Sequence, residues 1–130
     1  MKSKLIIAII SVLIVGVIGY GVKYLSGINR YKNFVNSIEI QNVDLSQLND
    51  GKYTGKCDAE VISAEVEITV NDNKIEDIEL LNHKNERGKA AESVVDEVIK
   101  EQKLTVDTVS GATNSSKVIL KAIENALEGK

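Results

Sequence analysis

From Ser110 to Ser116, four hydroxyl side chains, one glycine and one asparagine share seven positions, just ahead of a segment with helical apolar spacing. Two readings compete for this stretch. In the structural one, Gly111 supplies a backbone conformation that other residues resist, and Thr113, Asn114 or Ser115 caps the open N–H groups of the helix that follows. In the chemical one, those N–H groups and the helix dipole form a seat for a phosphate, with a hydroxyl beside it. The stretch lacks the Gly-Lys-Ser/Thr of a Walker A loop. No second glycine follows Ser110 as a hydrolase elbow requires, and the chain has a single histidine to serve as base. A hydroxyl beside a phosphate seat is therefore suited to accept chemistry from another enzyme rather than to act as a nucleophilic catalyst.

Few other residues offer chemistry. Cys57 is the one cysteine and His83 the one histidine, which excludes an intrachain disulfide and a Cys/His zinc or iron–sulfur site. His83 reads either as a surface residue at a strand end or as a contact for a bound group. Lys84, Arg87 and Lys89 around it make either an anion-attracting patch or a solvated loop. Cys57 reads as a small buried or half-exposed thiol.

The elements that must position these residues follow from periodicity. Asp50-Gly51 is a turn signal opening a short extended piece, Lys52 to Lys56. From Val61 the chain alternates, with Ile62, Ala64, Val66, Ile68 and Val70 on one face and Ser63, Glu65, Glu67 and Thr69 on the other, as in a half-buried strand. Asn71-Asp72-Asn73 closes a hairpin, and Ile75, Ile78 and Leu80 return as a second strand with a bulge between Ile75 and Ile78. Ala90, Ala91, Val94, Val95, Val98 and Ile99 mark an amphipathic helix of about three turns. Val118, Ile119, Ala122, Ile123, Ala126 and Leu127 mark a second helix, starting near Ser115. Strands followed by helices predict an α+β fold, a small antiparallel sheet with two helices packed on one face.

Charge divides the chain into two parts. All 19 acidic residues lie beyond position 32, and residues 33–130 carry a net −8, whereas Leu5 to Val22 form an 18-residue run without a charge. As a helix that run is about 27 Å long, near the ~30 Å hydrocarbon thickness of a bilayer, with Lys4 and Lys23 placed to snorkel and Tyr20 and Tyr24 at interfacial level. It predicts an N-terminal transmembrane anchor over residues 1–24. A cleaved signal is the weaker reading, because the run is long and no small-x-small site precedes the first charge. Residues 25–49 read as a juxtamembrane linker, helical or extended over 28–48, and 50–130 as one small domain near the lower size limit for a self-sufficient core. A domain this acidic excludes nucleic acid held by counterion release. The positive-inside count is nearly tied, so charge leaves the orientation open.

From Asp50 to Leu127 the chain resembles the FMN-binding domain family, found in the flavin subunits of the Na⁺-translocating NADH:quinone reductase, in Rnf-type complexes and in envelope electron-transfer proteins. The resemblance rests on Asp50-Gly51-Lys52-Tyr53-Thr54-Gly55, on His83, on Gly88, and on Asp107-Thr108-Val109-Ser110-Gly111-Ala112-Thr113 with Ser115-Ser116. The last stretch matches the flavinylation pattern Asp-x-x-Ser/Thr-Gly-Ala-Ser/Thr, whose final hydroxyl receives FMN as a phosphoester. The resemblance thus implies FMN on Thr113, small neighbours Gly111 and Ala112 that admit a flavin transferase, and Ser110, Asn114, Ser115 and Ser116 as phosphate donors. Asp107 either fixes the turn or is read by the transferase, His83 lies near the isoalloxazine, and Tyr53 either stacks on that ring or packs within its strand. Where the fuller pattern continues Glu-Thr-x-Gly after the histidine, this chain has Lys84-Asn85-Glu86-Arg87-Gly88, and it lacks the extra segments of the pump subunits.

The implied function is that of a membrane-anchored extracytoplasmic electron carrier. Its partners would be a membrane dehydrogenase or quinol as donor, and a further redox protein as acceptor. An FMN-dependent reductase of a small substrate and a non-redox envelope or sensory domain are the alternatives. The resembling systems are modified mainly on the outer face, which implies a cytoplasmic N-terminus.

Overall fold

The computed structural model describes residues 1–84 and 88–129 of the 130-residue chain. Helix α1 runs unbroken from Lys2 to Ser37. Residues 5–20 are exposed on every side, so the apolar run finds no cover within the protein. It is long and apolar enough to cross a membrane.

The helix does not stop where the apolar run stops. Its C-terminal third carries Tyr31, Val35 and Ile38 at i, i+4 and i+7, one stripe of a helix face; Val35 and Ile38 are buried in the domain core and Tyr31 packs against it. The 28–48 segment thus takes both expected forms in turn, helical to Ser37 and then extended apart from one 3₁₀ turn at Leu45–Gln47. This extended strap is bound down at several points. Gln41 N–H donates to Glu124 (3.1 Å), and Asn42 Oδ1 accepts from the backbone of Leu104 and Thr105 (3.0 and 3.1 Å).

Three strands form one antiparallel sheet in the order β1 (Gly51–Asp58), β2 (Ser63–Asn71), β3 (Lys74–Lys84). Alternation along β2 sorts the faces as expected: Ala64, Val66, Ile68 and Val70 are buried, and the residues between them are half-exposed. Val66 and Ile68, fully buried, each contribute about 1.5–3 kcal/mol by leaving water. The β2–β3 turn is Asp72-Asn73, both left-handed, closed by Asp50 Oδ1 accepting from Asp72 N–H (2.8 Å). The register slips between Thr69 and Val70, which is the expected bulge between Ile75 and Ile78, and again between Glu65 and Val66, where Leu81 bulges outward. Strand β1 is longer than expected at both ends. Ile62 falls in the turn before β2 rather than in the strand, yet remains buried.

Two helices cover one face of the sheet, α2 (Val94–Glu101) against β3 and α3 (Thr113–Glu128) across β1 and β2. The fold is α+β, as the sequence predicts. The first helix enters through a 3₁₀ turn at Lys89–Ser93, so its α-helical part is two turns rather than three. Gln102 ends α2 in a left-handed conformation and its side chain bonds both the N–H and the carbonyl of Ile75 (2.8 Å each), tying the helix to β3. Contact between β1 and α3 is so close that only glycine fits at position 55: a Cβ there would lie 2.5 Å from the Ala122 carbonyl oxygen.

Candidate functional site

Gly111 adopts φ +79° and reverses the chain into α3. The helix then begins at Thr113, two residues earlier than expected, with Ala112 as N-cap and no side-chain cap. Thr113, Asn114 and Ser115 therefore do not cap the helix; they form its first turn. Its first main-chain bond is Ser116 N–H to the Ala112 carbonyl (2.9 Å), which leaves the amides of Thr113, Asn114 and Ser115 without an intrahelical acceptor.

The work of a cap falls instead to Ser116. Its buried hydroxyl donates to the Ala112 carbonyl (2.8 Å) and accepts from Val109 N–H (3.1 Å), pinning the turn that contains Ser110 and Gly111. The Ser116 hydroxyl, expected as a phosphate donor, is thus engaged within the turn. Ser115, one residue earlier, is 2% exposed, lines the cleft described below, and makes no hydrogen bond among the described residues. A hydroxyl in that state, reached from the cleft, is a ready donor.

A cleft of about 400 Å³ opens at this helix end, lined by Gly111, Ala112, Thr113, Asn114 and Ser115 on one side and by Ile62, Gly88 and Tyr31 on the other. Its size falls within the ~300–1,000 Å³ of small-molecule and cofactor sites. Thr113 is exposed at its rim and its hydroxyl has no hydrogen bond among the described residues. No described lining residue carries a carboxylate, imidazole or ammonium group, and the positive end of α3 points into the cleft's rim.

The remaining expected residues are placed differently. Ser110 is exposed and outside the lining. Asp107 is also exposed, beside Glu97, Glu101 and Lys103 in a separate depression, and it accepts no backbone N–H. Tyr53 lies in β1 opposite Ile68, outside the cleft, and its hydroxyl donates to the Asn49 carbonyl (2.7 Å). His83 is neither a surface residue nor a cleft residue: its side chain is 2% exposed and Nδ1 lies 3.0 Å from Glu92 Oε1. Of the basic patch, Lys84 donates to the Glu60 carbonyl (2.9 Å), Lys89 is exposed, and Arg87 lies outside the described residues. Cys57 is buried, and desolvation pushes its thiol up to about 11, which keeps it protonated and inert. No group of three or more metal-ligating side chains occurs among the described residues.

The cleft residue that the sequence reading passed over is Tyr31. Its signal was present, since Tyr31, Val35 and Ile38 keep helical spacing past the end of the apolar run, but a helix stripe alone does not say what it faces.

A two-layer α+β domain with an open helix N-terminus and an adjoining cofactor-sized cleft defines a binding domain for a phosphate-bearing cofactor. Residues 61–128 match the FMN-binding domain family, and the chain belongs to it. FMN is its cofactor. The chain is also similar to an NADH:acrylate oxidoreductase of Vibrio harveyi, 32% identical over 93 residues that make up 69% of this chain and 9% of that protein. The residues present fit FMN: three open amides and the Ser115 hydroxyl suit its phosphate, and an uncharged cleft walled by Tyr31 and Ile62 suits its ring system.

Proposed function

We propose that this protein is a membrane-anchored, extracytoplasmic electron carrier whose FMN is joined to Thr113 by a phosphoester. The observation that carries the reading is the state of Thr113: an exposed hydroxyl on the first turn of α3 with no hydrogen bond among the described residues, beside Ser115, which lines the same cleft. A flavin transferase would form the new P–O bond at Thr113 Oγ1. The FMN donor is a flavin dinucleotide: its diphosphate P–O bond breaks as the bond to Thr113 forms, the nucleoside monophosphate leaves and the hydroxyl proton passes to the transferase, for a net gain of FMN less one water. The product phosphate then meets the first-turn amides and Ser115, which hold it without further rearrangement. Gly111 and Ala112 leave the approach open. Asp107, exposed and free of internal bonds, suits recognition by the transferase rather than support of the turn.

Bound FMN supplies the redox chemistry. The chain supplies attachment and position, and α1 supplies the anchor, with the N-terminus cytoplasmic and residues 25–130 outside. Covalent attachment suits a compartment where free FMN is lost by dilution, because the tether keeps its local concentration high. The donor is a membrane dehydrogenase or quinol and the acceptor a second redox protein. The name of the Vibrio harveyi relative, an NADH:acrylate oxidoreductase, favours a second reading, an FMN-dependent reductase of a small substrate. The lining argues against it, since the described residues offer no carboxylate, imidazole or ammonium as proton donor.

Protein co-expressed with a flavin transferase should gain the mass of FMN less water and fluoresce in a denaturing gel. Thr113→Ala should lose both, and Thr113→Ser should keep both. Fluorescence that survives in Thr113→Ala would overturn the site.

A further inference from the structure

We infer that Tyr31, on the anchor helix, is a contact residue of the flavin, so that α1 forms one wall of the redox site rather than a leash to it. The inference rests on the reading that FMN occupies the Thr113 cleft. Tyr31 lies outside residues 61–128, the stretch that matches the family.

Three observations place it there. Tyr31 lines the same cleft as Gly111 to Ser115, together with Gly88 and Ile62. Its position is fixed rather than incidental. Below it Val35 and Ile38 are 1% and 8% exposed in the core, Glu124 and the Leu104 amide bind the strap that follows, and beside it Arg30 pairs with Glu60 at 3.3 Å. Its phenol makes no hydrogen bond among the described residues, whereas that of Tyr53, the other candidate ring, is committed to the Asn49 carbonyl. A planar, amphipathic side chain with a free polar tip at the edge of an uncharged cleft suits the ring system of a flavin.

A phenol against a flavin has an optical signature. The excited flavin takes one electron from the phenol and hands it back, so emission is quenched with no net reaction. Phenylalanine keeps the ring and the packing but is too hard to oxidise to do this.

The test uses the full chain, co-expressed with a flavin transferase, with FMN loading measured first by intact mass. Tyr31→Phe, Tyr31→Leu and Tyr53→Phe should all load FMN to the wild-type extent. Flavin fluorescence should rise several-fold in Tyr31→Phe and Tyr31→Leu and stay at the wild-type level in Tyr53→Phe, and Tyr31→Leu should also shift the midpoint potential. Wild-type emission in Tyr31→Phe at full loading overturns the inference, and this variant decides if Tyr31→Leu fails to fold. Brightening in Tyr53→Phe instead of Tyr31→Phe assigns the stacking ring to β1 and overturns it as well. Wild-type protein without FMN overturns both readings. FMN bound without a covalent link in Thr113→Ala overturns only the linkage, because the Tyr31 variants still report on the ring.

Discussion

Ser115 and Ser116 are neighbours with the same side chain, and the structure gives them opposite tasks. Ser116 spends its hydroxyl on the Val109 amide and the Ala112 carbonyl, while Ser115 keeps its own for the cleft. Ser116→Ala therefore removes two hydrogen bonds and leaves the part-buried Val109 N–H without its acceptor, a loss of about 1–2 kcal/mol. Urea denaturation should show that loss, and flavinylation of Thr113 should slow because the turn before it loosens. Full stability with unchanged modification would mean that the loop is held by its glycine conformation alone. The cluster of hydroxyls ahead of an apolar helix was legible from Ser110 to Ser116. Which hydroxyl faces the protein and which faces the cleft was not. That depends on where the helix begins, and the expected start near Ser115 was two residues late because Ala112, a poor cap by type, takes the cap position once Ser116 closes the turn from within.

Gly55 carries the equivalent argument at the level of elements. Strand β1 and helix α3 meet backbone to backbone there, and Asn125 Nδ2 adds a bond to the Lys56 carbonyl (2.9 Å). Because α3 presents Thr113 at its other end, this contact sets the height of the proposed flavin seat above the sheet. Gly55→Ala must push the α3 backbone away, since no flexible side-chain end is there to yield. It should destabilise by about 3 kcal/mol, at the upper end of overpacking costs, as read in a denaturation curve. A change below about 1 kcal/mol would show that helix and strand slide apart freely. The hairpin, its bulge and both helix stripes were legible because they are local patterns. The strap over residues 38–48 was not, since it is fixed by partners such as Glu124, 83 positions from Gln41, and Thr105, 63 positions from Asn42. The placement of Tyr53 away from the cleft and of Tyr31 within it follows from the same long-range packing.

At the scale of the molecule, the net −8 of residues 33–130 and the charge-free run from Leu5 to Val22 suit two different surroundings. A single helix joins them. Lys2–Ser37 is continuous, so if α1 spans the bilayer as proposed, the distance between the membrane surface and the flavin is set by helix geometry rather than by a flexible tether. From Lys23 to Tyr31 that distance is about 12 Å at roughly 1.5 Å per residue. A donor embedded in the membrane would then meet the flavin at a fixed separation, which a soluble donor would not need. Seven helix-forming residues inserted after Val22 would lengthen the spacer by about 10 Å and rotate the two parts by only about 20°, leaving Tyr31, Val35 and Ile38 on their present contacts. FMN loading and flavin emission should be unchanged in that variant, while its reduction by a membrane dehydrogenase or quinol should slow. Reduction at the wild-type rate would place the donor in solution and leave α1 with anchoring alone. A slower rate accompanied by brighter flavin would mean that the insertion had pulled Tyr31 off the cofactor, so emission tells a change of height from a change of site.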